Sequence, residues 1–158
     1  MDPAYEHLLN DQNPKDLKKT VQRLSKMKKG ALDQKIHELH DLAFEQIDCL
    51  LCANCCRTTG PLLTQKDIER ISKHLRLKPG AFVEKYLRID EDHDHVFKSM
   101  PCPFLGDDNY CSIYDVRPKA CREYPHTDRK NQQGILNLTQ KNALLCPAVA
   151  WIIKEIDA

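Results

Sequence analysis

Glycine is scarce in this chain, with five residues in 158. Loops that let the backbone approach a phosphate closely therefore have little to be built from. Aromatic residues are also few: four Phe, five Tyr and one Trp. The core is expected to be mostly aliphatic, with Trp151 as one anchor. No run approaches the roughly 18 apolar residues that a membrane span requires. The opening residues, Met1 to His7, carry neither the basic nor the apolar segment of a secretory signal, so a cytoplasmic location without membrane contact is expected. A large charge of one sign is missing as well. The net charge is +1, which gives no global electrostatic case for nucleic acid.

Against these shortages stand eight cysteines. Four fall within eight residues, Cys49-Leu-Leu-Cys52-Ala-Asn-Cys55-Cys56, and the others come singly at Cys102, Cys111, Cys121 and Cys146. An even count permits disulfides. A reducing compartment and the crowding of the first four argue for metal instead. Soft thiolates select zinc, copper(I) or iron–sulfur clusters. A gap of two residues turns both sulfurs toward one centre while backbone N–H groups point at them. The run Cys49-x2-Cys52-x2-Cys55 is closer to a ferredoxin loop than to a zinc ribbon, which needs two separate C-x2-C pairs. Adjacent Cys55 and Cys56 tend to point apart and so could serve two centres. Eight thiolates are compatible with two four-ligand sites, whose partition the sequence leaves open.

Four thiolates on one divalent ion leave a charge of about −2, which nearby bases would offset. Arg57 follows the run, and Arg117, Lys119 and Arg122 bracket Cys121. Cys146, before Pro147, is placed to cap the last helix and to gain from its dipole.

The length suits one domain over residues 1–158, with a helical lead-in over 1–48 and a cysteine-cluster region over 49–150. Residues 1–13 read as a loose, polar lead-in. Asn13-Pro14 opens a helix with Leu17, Val21, Leu24 and Met27 in one stripe, ending near Gly30. That helix carries seven bases against Asp16 alone, a pattern read as a solvated face. A second helix runs from Leu32 to Asp48, with His37 and His40 expected at the surface. Thr64-Gln-Lys-Asp67 resembles a capping box, and its helix should reach about Leu75. Lys78-Pro79 opens another. The acidic run at 90–95 lacks the Gly and terminal Glu of a calcium loop, so a solvated turn is expected. Residues 95–100 suggest a strand, and Gly106-Asp-Asp-Asn109 a tight reversal between Cys102 and Cys111. A helical turn should lie at 116–121, a polar loop at 126–134, and a last helix at Pro147–Ile156. The fold expected is mainly α with a small β hairpin, a compact helical domain around a cysteine-lined metal centre.

The cysteine run, Pro101-Cys102-Pro103-Phe104-Leu105, Cys111-Ser-Ile-Tyr114, Arg117-Pro118-x2-Cys121-Arg122-x-Tyr124-Pro125 and Cys146 together resemble the YkgJ-type cysteine-cluster family over roughly residues 45–150. That family is described by zinc or iron chelation. The resemblance implies a metal centre held by Cys49, Cys52, Cys55, Cys56, Cys102, Cys111, Cys121 and Cys146. It also implies kinship with the cysteine cluster of flagellin lysine N-methylases, although this chain has no glycine-rich S-adenosylmethionine loop.

Three functions follow. The first is a metal-binding module with zinc or an iron–sulfur cluster, structural or electron-carrying. The second is a redox or protein-modifying enzyme using Tyr114, Arg117, Arg122, Tyr124 and His126. The third is a thiol or metal-handling protein. An unidentified protein partner is compatible with each.

Overall fold

The computed structural model describes residues 2–157. The helices, in chain order, are α1 (Pro3–Asn10), α2 (Pro14–Leu24), α3 (Lys29–Gln46), α4 (Cys49–Cys52), α5 (Asn54–Thr58), α6 (Gln65–His74), α7 (Pro79–Tyr86), α8 (Lys119–Glu123), α9 (Leu136–Ala143) and α10 (Pro147–Asp157). Three short strands, β1 (Leu62–Leu63), β2 (Leu87–Ile89) and β3 (His95–Phe97), form an antiparallel sheet in the order β1-β3-β2. The protein is thus mainly α with a small sheet, as expected. No helix among the described residues is long and apolar enough to cross a membrane.

Two compact units divide the chain. The first comprises residues up to Cys52 and from Pro125 onward, and the second runs from Ala53 to Tyr124.

The first unit is helical. Asn13 caps α2 by accepting from the Lys15 amide at 2.9 Å, and Pro14 sits where no amide donor is needed. The stripe of Leu17, Val21 and Leu24 is buried against Leu32 and Ile36 of α3 and Val149 and Ile153 of α10. The bases along α2 are exposed, as expected of a solvated face. Of these α2 bases, Arg23 pairs with a carboxylate, that of Asp157. Two expectations fail locally. Asp2 and Pro3 make α1 a helix, capped by the Asp2 carboxylate at 2.8 Å from the Ala4 amide, where a loose lead-in was expected. Helix α2 stops at Leu24, not Gly30, because the chain turns at Ser25, whose hydroxyl donates to the Gln22 carbonyl at 2.6 Å. Gly30 instead lies in the first turn of α3.

The second unit packs α6 and α7 against the sheet through Leu63, Ile68, Ile71, Phe82, Leu87, Phe97, Phe104 and Ile113. Thr64 and Asp67 form the expected capping box, with the Thr64 hydroxyl 3.1 Å from the Asp67 amide. The acidic run turns β2 back into β3: the Asp90 carboxylate accepts from the amides of Asp92 and Asp94, each at 2.9 Å. The hairpin pairs residues 87–89 with 95–97, so the strand expected at 95–100 pairs backward in the chain, and the reversal at 106–109 carries only an isolated bridge between Leu105 and Cys111.

Candidate metal centre

In the cysteine run, α4 is one helical turn started by Asp48, whose carboxylate accepts from the Leu50 amide at 2.9 Å. Ala53 then adopts a left-handed backbone, with φ at 48°, and α5 begins. An alanine there is strained, and the break separates Cys49 and Cys52 from Cys55 and Cys56. The boundary between the units falls at this residue.

Within the second unit, backbone pairings connect three cysteines, and a fourth joins them on a separate helix. The Cys102 amide donates to the Cys56 carbonyl at 2.8 Å. The Leu105 amide returns to the Cys102 carbonyl at 3.1 Å, and the Leu105–Cys111 bridge with Ser112 N–H donating to Phe104 at 2.8 Å brings Cys111 alongside. Cys121 arrives on α8, which packs against β1.

Their electrostatics record this proximity. Burial pushes the Cys102 thiol up to about 11; charge on Cys56 and Cys111 adds to it, and the amides of Phe104 and Leu105 oppose it. Burial also raises Cys111, with a further rise from Cys56 and opposition from the Ile113 amide and Arg117. Cys121 is exposed as a residue. Even so, the protein around its thiol, and then Cys56, Cys102 and Cys111, drive it upward against Arg117. Cys56 runs the other way and falls to about 7, first through a hydrogen bond from Cys55, opposed by burial, then through Arg57.

In the first unit, Cys146 senses Cys49 and Cys52. The amides of Val149 and Ala148 are aimed at its sulfur, as a capping position provides. Its thiol is nevertheless pushed up to about 12, because burial outweighs those amides. The lowered pKa expected from the helix dipole is therefore overturned by desolvation.

The thiols of both sets stand within electrostatic reach rather than at ligand distance. Among the described residues, no three His, Cys, Asp or Glu side chains converge tightly enough to hold an ion as they stand. The donor set still fits a soft cation. Clustered thiols held protonated by burial and mutual repulsion ionise when a positive charge enters among them. Backbone amides two and three residues beyond Cys102 and Cys146, and two beyond Cys111, are the donors that support bound thiolates.

Of the expected charge-compensating bases, Arg57 and Arg117 act on thiols. Lys119 instead pairs with Glu123 at 3.7 Å on the surface. The Arg117 guanidinium lies 4.0 Å over the exposed Tyr114 ring. His37 and His40 fasten a loop of the first unit. His37 Nε2 is 2.8 Å from the Arg129 carbonyl, and His40 Nδ1 is 2.6 Å from the buried Thr127 hydroxyl. A hollow of about 220 Å³ in the first unit, lined by Leu8, Asp16, Thr20 and Ile153 among others, contains no cysteine.

Sequence reasoning treated Asp67 only as a cap. It is 1% exposed, and its carboxylate also takes the Arg70 guanidinium at 2.6 Å and the Lys119 amide at 3.1 Å. Burial opposes its ionisation, but the Thr64 amide, Arg70, the Lys119 amide and the Thr64 hydroxyl prevail and hold it below the usual carboxylate value. Such a group stabilises fully above the unfolded pKa, about 3.9, and the contribution disappears as pH falls through its lowered folded value. Urea midpoints of wild type and Asp67→Asn are expected to differ at neutral pH and to converge as pH falls below about 4. A gap that persists undiminished in acid would exclude this contribution.

Residues 48–147 match the family described as CxxCxxCC, "Putative zinc- or iron-chelating domain". An uncharacterized protein of Methanocaldococcus jannaschii is 31% identical over 94 residues, which cover 58% of this chain and 50% of that protein. The chain thus spans about half the length of the curated relative it matches. No solved structure matches. The matched stretch holds all eight cysteines, and the chain belongs to the CxxCxxCC family of metal-chelating domains.

Proposed function

We propose that this chain is a metal-chelating protein that binds zinc or an iron–sulfur cluster through its eight cysteines, in a structural or electron-carrying role. The backbone pairings that connect Cys56, Cys102 and Cys111, with Cys121 within electrostatic reach of all three, support this reading most directly. Four buried or crowded thiols have no use for one another unless a cation joins them, since each thiolate raises the next. These four form one ligand set. Cys49, Cys52 and Cys146 belong to a second, and Cys55, bonded to Cys56, is the eighth thiol. Soft thiolates of this kind suit tetrahedral zinc or an iron–sulfur cluster alike.

The test is metal and acid-labile sulfide content, with a visible spectrum, on protein purified without oxygen. Iron with sulfide and a brown absorbance would assign a cluster and favour electron transfer. Colourless protein with tightly held zinc would assign a structural role. Folded protein that holds neither, and takes up neither on reconstitution, would overturn the proposal.

A further inference from the structure

We propose that Asp67 and Arg70 are positioning residues for Cys121, a role that rests on the metal-chelating reading above. The capping box of α6 needs only one carboxylate oxygen. Asp67 Oδ2 meets that need by accepting from the Thr64 amide at 2.9 Å. Its other oxygen, Oδ1, faces away from the cap and takes both Arg70 Nη2 and the Lys119 amide. Arg70 directs two further donors to the segment ahead of α8. Its Nη2 lies 2.9 Å from the Arg117 carbonyl and its Nε lies 3.3 Å from the Val116 carbonyl.

Residues 116–119 are therefore pinned to α6 on both sides of Pro118, by two carbonyls before it and one amide after it. Pro118 is buried, lacks an amide donor and has its φ fixed by the ring, so the pin leaves this segment little freedom. Cys121 follows two residues after the last pinned amide. Helix α8 has five residues and no side-chain cap. A helix that short does not hold its own direction. The strap sets that direction, and it also places Arg117, whose charge opposes the rise of Cys111 and Cys121. A carboxylate buried to 1% exposure with a guanidinium partner is costly unless fully bonded. Here every bond beyond the cap is directed at the approach to Cys121.

The test uses the full chain loaded with cobalt(II), whose thiolate charge-transfer absorption reports the ligand set. Release to a chelator is timed for wild type, Arg70→Ala, Arg70→Lys and a control, Phe82→Leu, that weakens the same unit from its core. Arg70→Ala is expected to speed release by about 10-fold or more, in the range found when outer-shell partners of metal ligands are removed. Arg70→Lys keeps the charge and the stem but cannot serve a carboxylate and two carbonyls at once, so it is expected to fall between. Should the alanine variant fail to fold, the lysine variant decides. Phe82→Leu is expected to lower the melting temperature and to speed release less than Arg70→Ala does. Wild-type release rates in the Arg70 variants, or equal acceleration in Phe82→Leu, would overturn the positioning role and leave the chelating function standing. A wild-type chain that takes up neither cobalt nor an iron–sulfur cluster through its thiolates would overturn both.

Discussion

Replacing Cys56 by serine is expected to remove the metal of the second unit and to unfold that unit, while Cys49→Ser leaves its unfolding midpoint in place. Cys56 is the common neighbour in its set. Its carbonyl receives the Cys102 amide, and its charge is felt at Cys102, Cys111 and Cys121. Losing it removes the member whose charge reaches every other. The energetic stake is large because a structural metal site is folding free energy. Apparent zinc binding contributes about 10–16 kcal/mol in small metal-dependent domains at neutral pH. Whole domains are stable by only about 5–15 kcal/mol. The second unit has strands of two and three residues and a core of eight buried apolar side chains, so it has little in reserve. Metal content per chain, measured beside urea unfolding of both variants, checks this. Full metal and an unshifted midpoint in Cys56→Ser would sink the assignment of the four-thiol set. The same logic predicts that a strong chelator lowers the wild-type midpoint about as far as the Cys56 substitution does.

How much of this could be read beforehand follows from how local each signal is. Asn13-Pro14, Lys78-Pro79, Cys146-Pro147 and the Thr64–Asp67 capping box start helices through chemistry spanning at most four residues, and each helix is present. The reversal at Gly106–Asn109 is local as well. Helix α9 escaped notice because its buried face is Leu136, Thr139, Asn142 and Ala143, half of it polar, so no apolar period marks it. Helix α1 has no buried residue at all, and only its Asp2-Pro3 start could have revealed it. The strands β1 and β2 are too short for an alternating pattern to appear. For the site, the eight candidate ligands were visible as residue types and spacings. Their grouping was not, since it depends on pairings such as Cys102 with Cys56 and Leu105 with Cys111, which only the folded chain creates. Asp67 shows the same limit in one residue. Its bond to Thr64 is three residues long and legible, whereas its bond to the Lys119 amide spans 52 residues and is not.

Phe82→Ala is expected to cost about 3–5 kcal/mol, the range for emptying a fully buried phenylalanine site. Phe82 is 0% exposed. Its ring lies 5.5 Å from that of Tyr86 and 6.4 Å from that of Phe104, and Phe104 in turn meets Tyr86 at 4.8 Å and Phe97 at 5.7 Å. These four rings form one aromatic cluster in the core of the second unit, so the void opens at its centre. Collapse is also restricted, because Phe104 is held by its position between Cys102 and the Leu105–Cys111 bridge. The loss is large against a domain's total stability but smaller than what a bound structural metal contributes. The variant should therefore remain folded when loaded with metal and fail to fold when stripped. Urea titrations of Phe82→Ala with and without chelator separate the two states. A variant that unfolds equally in both would show that metal binding does not stabilise the second unit, whatever the chain chelates.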